Sequence, residues 1–140
     1  GDWIATLDRA IAAAPAKPLV VAHSLGCITV AHWAEQQDLG AHTRLAGALL
    51  VAPADVEQSV APRSLEAFAP IPATRFRFPA IVVASRNDQY AAFERAAHFA
   101  ATWGAELVDA GHAGHINTDA GFGPWPAGEA LLARLAAGGA

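Results

Sequence analysis

A serine follows an apolar run and precedes a helical pattern in Leu19-Val20-Val21-Ala22-His23-Ser24-Leu25-Gly26, flanked by small residues. A serine hydroxyl is a weak nucleophile unless it is held clear of the sheet, near a histidine and near backbone N–H groups. A sharp strand-to-helix turn, the nucleophile elbow, meets these needs. Such a turn strains the serine backbone and presses the residues two before and two after it together, so both must be small, as Ala22 and Gly26 are. Ala22 stands where the usual Gly-x-Ser-x-Gly pattern has its first glycine. The rival reading makes Ser24 an ordinary helix N-cap, so the partners downstream decide its role.

Acyl transfer from a serine needs a general base, and the base needs a carboxylate that fixes its tautomer. The base expected is His115 in Gly111-His112-Ala113-Gly114-His115-Ile116-Asn117, where a flexible glycine precedes the ring and an apolar anchor follows it. His112 is the fallback. The acid expected is Asp88 in Ser85-Arg86-Asn87-Asp88-Gln89-Tyr90, for which a turn-capping role is the alternative. Asp55 competes for the acid role but suits a loop hydrogen bond or a pocket wall better. His23 points away along an extended strand and is expected to pack or bond locally, as a possible pocket residue; His32 and His98 read as helix-surface residues. The Leu25 N–H, at a helix start, is the expected oxyanion donor. A second donor has no visible source, and the segment carrying it is expected upstream of residue 1. Phe68, Tyr90 and Trp125 are candidate apolar pocket walls that would serve equally as core.

These residues depend on elements that periodicity defines. Ile4, Leu7 and Ile11 recur at helical spacing up to Pro15, with Asp2 as a candidate cap. Continuous apolar runs at 18–23, 45–52 and 80–85, with a short one at 106–108, suit strands buried on both faces. Helices are expected at 26–37, 91–103 and 127–137, with a short one at 63–68 inside the Pro-rich connection 54–78. Strands alternating with helices at this spacing imply an α/β fold of three layers, a mostly parallel sheet between helices, in one domain over residues 1–140. Ser24, Asp55, Asp88 and the 112/115 histidines each follow a strand end, where such sheets bind ligands.

Composition narrows the function classes. With 54% hydrophobic and 16% charged residues in 140, the chain has ample material for a core. Its formal net charge of −4 and lack of a basic run argue against a nucleic-acid partner or an anionic membrane. No apolar stretch reaches the ~20 residues of a transmembrane helix. The single cysteine, Cys27, excludes an internal disulfide and points to a reducing, cytoplasmic setting. The chain has no methionine and begins inside a helical pattern, so an N-terminally truncated fold is expected.

Ala-His-Ser-Leu-Gly-Cys at 22–27, Gly-Ala-Leu-Leu-Val-Ala-Pro-Ala-Asp at 47–55, Phe-Pro-Ala-Ile-Val-Val-Ala-Ser-Arg-Asn-Asp-Gln-Tyr at 78–90 and Gly-His-Ile-Asn at 114–117 resemble the small serine hydrolases of the retinoblastoma-binding-protein, or YdeN-like, type. His-Trp-Ala at 32–34 and Gly-Phe-Gly-Pro-Trp-Pro-Ala-Gly at 121–128 extend the resemblance over nearly the whole chain. It implies an α/β-hydrolase fold without a large cap domain and a triad on Ser24, Asp88 and His115. It also implies an N-terminal strand and loop at the oxyanion site that this sequence does not contain.

The expectation is therefore a serine hydrolase of small-molecule esters or amides that uses no cofactor and no metal. A metal site on Asp109, His112, His115 and Asp119 is a rival with loose spacing. Cys27 as nucleophile falls inside the helix rather than at the turn. A catalytically silent binding module of hydrolase fold is the alternative from another class.

Overall fold

Strands β2 (Gly47–Val51) and β3 (Ala80–Ala84) are buried at every residue, which is why both read as unbroken apolar runs. The computed structural model describes residues 2–37, 39–58, 63–117, 120–121 and 123–138. β1 (Leu19–His23) flanks β2, and β4 (Glu106–Asp109) flanks β3, giving the all-parallel order β1-β2-β3-β4. Val21 pairs with Leu49, and Leu49 with Ile81, so the three strands run in step.

Alternation of side chains divides the core in two. Ala48, Leu50, Ala80 and Val82 face one layer, built from α1 (Asp2–Ala13), α2 (Leu25–Gln36) and α4 (Phe93–Trp103) around Trp33, Phe99 and Trp103. Leu49, Val51, Ile81 and Val83 face Leu135 of α5 (Pro126–Ala136) and the loop residues Ala113 and Ile116. Among the described residues helices cover both faces of a parallel sheet and no cap lies over it, in keeping with an α/β-hydrolase fold. At Gly47 a Cβ would lie 3.1 Å from the Pro79 carbonyl and 3.2 Å from Leu135, so α5 seats closely only because no side chain intervenes.

Hydrogen bonds from aromatic side chains lock the helices and the long connection. Trp33 Nε1 donates to Asp8 at 3.0 Å, joining α2 to α1, and Trp103 Nε1 donates to the Pro72 carbonyl at 2.8 Å. One element escapes the sequence patterns: a single turn, α3 (Leu39–His42), between the expected helix 26–37 and the expected strand 45–52. It carries His42 into the core, fully buried, where Nε2 donates to Ala34 O at 2.6 Å and Nδ1 accepts from Arg77 N at 3.1 Å. Four residues leave too short a window for periodicity, and the burial of a histidine satisfied at both nitrogens is a tertiary fact. The 3₁₀ turn at Arg63–Phe68 falls where a short helix is expected.

The outer strand β1 is less covered. Val21 (57% exposed) and Trp3 (53% exposed) border an apolar groove of about 680 Å³ that runs between α1 and β1 as far as His23 and Gly26. Among the described residues no helix is long and apolar enough to cross a membrane.

Candidate active site

Ser24 sits between the last residue of β1 and the first of α2 with φ 58° and ψ −117°, a positive-φ conformation that costs a non-glycine residue about 1–3 kcal/mol. The surrounding backbone holds it there. Its N–H donates to Val51 O at 3.0 Å, one step beyond the β1–β2 ladder, and its carbonyl accepts from Cys27 N at 3.1 Å and Ala54 N at 3.4 Å. A Cβ on Gly26 would lie 3.4 Å from the Ala22 Cβ, so the two small residues face each other across the elbow at ordinary contact distance. Although Ser24 occupies the N-cap position, its side chain makes no cap hydrogen bond. The hydroxyl is directed elsewhere.

It meets His115. Ser24 Oγ lies 2.9 Å from His115 Nε2, and His115 Nδ1 lies 3.0 Å from each carboxylate oxygen of Asp88. A carboxylate only accepts, so Nδ1 carries the proton and Nε2 presents its lone pair to the serine hydroxyl. The His115 and Asp88 side chains are 10% and 3% exposed, shielding the pair from water. Asp88 Oδ1 also accepts the Tyr90 N–H at 2.9 Å, so the carboxylate bonds both to the turn backbone and to the imidazole.

The turn after β3 builds the histidine loop. Ser85 Oγ accepts the Ala113 N–H at 3.0 Å and donates to Asn87 Oδ1 at 2.9 Å, and that oxygen accepts the Gly114 N–H at 2.7 Å. Gly111, Gly114 and Ile116 all have positive φ, at 70°, 60° and 50°, so the loop needs this scaffold to keep its shape. Neither Ser85, at the end of the expected strand 80–85, nor Asn87, in the polar turn after it, announces this role in the sequence. Their Ser-x-Asn spacing signals a local turn, whereas their partners lie 28 and 27 residues away.

The five candidate pocket residues divide. The rings of His23 and Tyr90 lie 4.6 Å and 4.4 Å from that of His115. His23 packs, one of its two expected roles, but its hydrogen bond is not local: Nε2 donates to the backbone carbonyl of His115 at 2.7 Å. Asp55 is a buried loop anchor rather than a pocket wall, ion-paired to Arg95 at 3.0 Å and accepting the Glu57 N–H at 3.1 Å. Phe68 meets Trp3 edge-on at 5.4 Å, and Trp125 packs against the α5-side core, both as packing residues.

The other reactive side chains are also engaged. Cys27 is buried, its Sγ 3.4 Å from Val51 O, and burial pushes its thiol far above the ordinary range, the reverse of nucleophile activation. Asp109 pairs with Arg86 at 2.7 Å, and this bond, with help from the Gly111 N–H, lowers its pKa. His32 is not a plain surface residue, since its Nε2 donates to Phe68 O at 2.7 Å. His112 is exposed, and Asp119 of the rival metal set lies outside the described residues. Among the described residues no three His, Cys, Asp or Glu side chains gather to hold a metal ion.

Fold and elbow together define the class, and comparison with known proteins supplies the family. The chain belongs to the serine hydrolase family, whose model matches residues 1–134. It is similar to the crystal structure of a YdeN-like hydrolase from Pectobacterium atrosepticum, with 34% identity and a TM-score of 0.83, over 97% of this chain and 68% of that one. The ydeN gene product of B. subtilis shares the fold at 24% identity and a TM-score of 0.73, over 97% and 74% of the two chains. A monoacylglycerol lipase of Paleococcus ferrophilus does so at 13% identity and a TM-score of 0.67, over 96% and 74%. No curated protein gives a significant match.

Proposed function

We propose that this chain, as one α/β-hydrolase domain, cleaves small carboxylic esters or amides through an acyl-enzyme on Ser24. The observation that carries this reading is the unbroken chain Asp88–His115–Ser24 at 3.0 and 2.9 Å, with the histidine tautomer set by the carboxylate. His115 Nε2 takes the serine proton as Oγ attacks the carbonyl carbon, and Asp88 stabilises the imidazolium that forms. His115 then returns the proton to the leaving oxygen or nitrogen. Water, deprotonated by the same nitrogen, attacks the acyl carbon, and His115 passes that proton to Ser24 Oγ as the acid leaves.

The tetrahedral intermediate places negative charge beside the start of α2. The Leu25 N–H is the first of that helix, one of the donors that a helix start leaves without an intrahelical acceptor, at the end where the dipole favours an anion. Among the described residues no cap covers Ser24 and His115, and the reading takes small esters or amides as substrates. The lone cysteine, Cys27, a free thiol, accords with a cytoplasmic location.

Labelling with a fluorophosphonate probe and hydrolysis of p-nitrophenyl acetate test this reading. The native chain is expected to label and hydrolyse, and Ser24→Ala to do neither. Equal labelling of the two would remove Ser24 as nucleophile. A native chain that neither labels nor hydrolyses would favour a binding module of hydrolase fold.

A further inference from the structure

We infer that His23 is a positioning residue that sets the distance between His115 and Ser24, an assignment that rests on the triad reading above. His23 precedes Ser24 in the chain, so its backbone moves with the elbow. Its Nε2 lies 2.7 Å from the carbonyl oxygen of His115, 92 residues further on. A carbonyl oxygen only accepts, so Nε2 carries the proton and donates it.

The carbonyl it holds belongs to the peptide that joins His115 to Ile116, and this peptide needs holding. Ile116 is buried and β-branched, yet has φ 50°, a conformation that β-branched residues adopt only when their surroundings impose it. The loop before His115 is fixed from the acid side by Ser85 and Asn87 through the N–H groups of Ala113 and Gly114. The bond from His23 secures the peptide after His115 from the nucleophile side. Ring contact at 4.6 Å from His23 and at 4.4 Å from Tyr90 limits tilting of the imidazole. Proton transfer depends steeply on such geometry, with displacement near 1 Å costing roughly 10²-fold.

Three substitutions separate the donor from the bulk. His23→Phe keeps a ring without a donor, His23→Gln carries an amide N–H about as far out as Nε2, and His23→Asn carries one that stops short. Two readouts are taken on the full chain: kcat and KM for p-nitrophenyl acetate, and the proton NMR signal of the His115 Nδ1–H that bonds to Asp88. His23→Phe and His23→Asn are expected to lower kcat roughly 10- to 100-fold with KM little changed. Both should also broaden the Nδ1 proton by exchange with water, while His23→Gln recovers most of the rate and the signal. Circular dichroism checks folding, and the Asn/Gln pair decides if the Phe variant does not fold. Wild-type kcat and an unaltered proton in His23→Phe would overturn the assignment, as would Gln and Asn variants that behave alike. A native chain without hydrolysis would defeat the triad reading, whereas the response of the proton signal would still decide the role of His23. Absence of that signal from the native chain would count against His23.

Discussion

Asp88 turns both carboxylate oxygens to His115 Nδ1 at 3.0 Å while one of them accepts the Tyr90 N–H at 2.9 Å. One side chain thus bonds both to the turn after β3 and to the imidazole. In Asp88→Asn the amide oxygen can still cap the turn, but the amide N–H₂ can donate to Nδ1 and shift the proton to Nε2. Turnover of p-nitrophenyl acetate should fall about 10³–10⁴-fold with little change in melting temperature. Retention of a tenth of native turnover would show that Asp88 is a turn residue alone.

Asp55 and Arg95 tie the loop after β2 to α4. Arg95 donates to both Asp55 oxygens, at 3.0 and 3.2 Å, and to Glu57 at 2.8 Å, and the Asp55 hydrogen bond is the main cause that raises the guanidinium pKa. Asp55 is buried, whereas the Arg95 side chain is about one-third exposed (35%). Arg95→Met strands the carboxylate and should cost about 2 kcal/mol, below the range for a wholly buried pair because water reaches Arg95. Glu57→Gln should cost less than about 1 kcal/mol. Urea unfolding of both variants checks the ranking, and equal losses would refute it.

Burial raises the Cys27 pKa, which makes stability fall in alkali. Above the unfolded thiol pKa of roughly 8.5 the unfolded chain releases a proton that the folded chain keeps. This contribution is complete below that pH and is lost as pH rises towards the folded pKa, by about 1.4 kcal/mol per unit. Native and Cys27→Ala chains should therefore diverge between pH 9 and 10 in urea unfolding, with the alanine variant showing the smaller slope. Parallel slopes would mean that the thiol ionises in the fold.

Gly26 has the small-residue position of the elbow, yet a methyl there meets only the Ala22 Cβ, at an ordinary contact distance of 3.4 Å. Replacing glycine by alanine in a helix gains up to about 1 kcal/mol. Gly26→Ala should therefore unfold at the same urea concentration as the native chain or a higher one. A loss above about 1 kcal/mol would show that the elbow tolerates no second methyl.

Most of the fold was legible because its signals are local. The buried runs of β2 and β3, the elbow at Ser24 and the helical spacing of Ile4, Leu7 and Ile11 each need a window of only a few residues. Ser24, Asp88 and His115 could be singled out because each follows a strand end in a parallel sheet, and such sheets gather those ends on one edge. The single turn α3 and the burial of His42 were not legible, because four residues carry no period and burial depends on what packs above them.

The sequence by itself determined the order of strands and helices, the strained turn at Ser24 and the chemical types available at the sheet edge. Only the tertiary structure decided which partner each polar group takes. It made Ser85 and Asn87 the supports of the histidine loop, gave Asp55 to Arg95, and joined His23 to the His115 carbonyl across 92 residues. Periodicity and turn chemistry act over a few neighbouring residues, whereas these hydrogen bonds span 27 to 92 residues and exist only once the strands have paired in register.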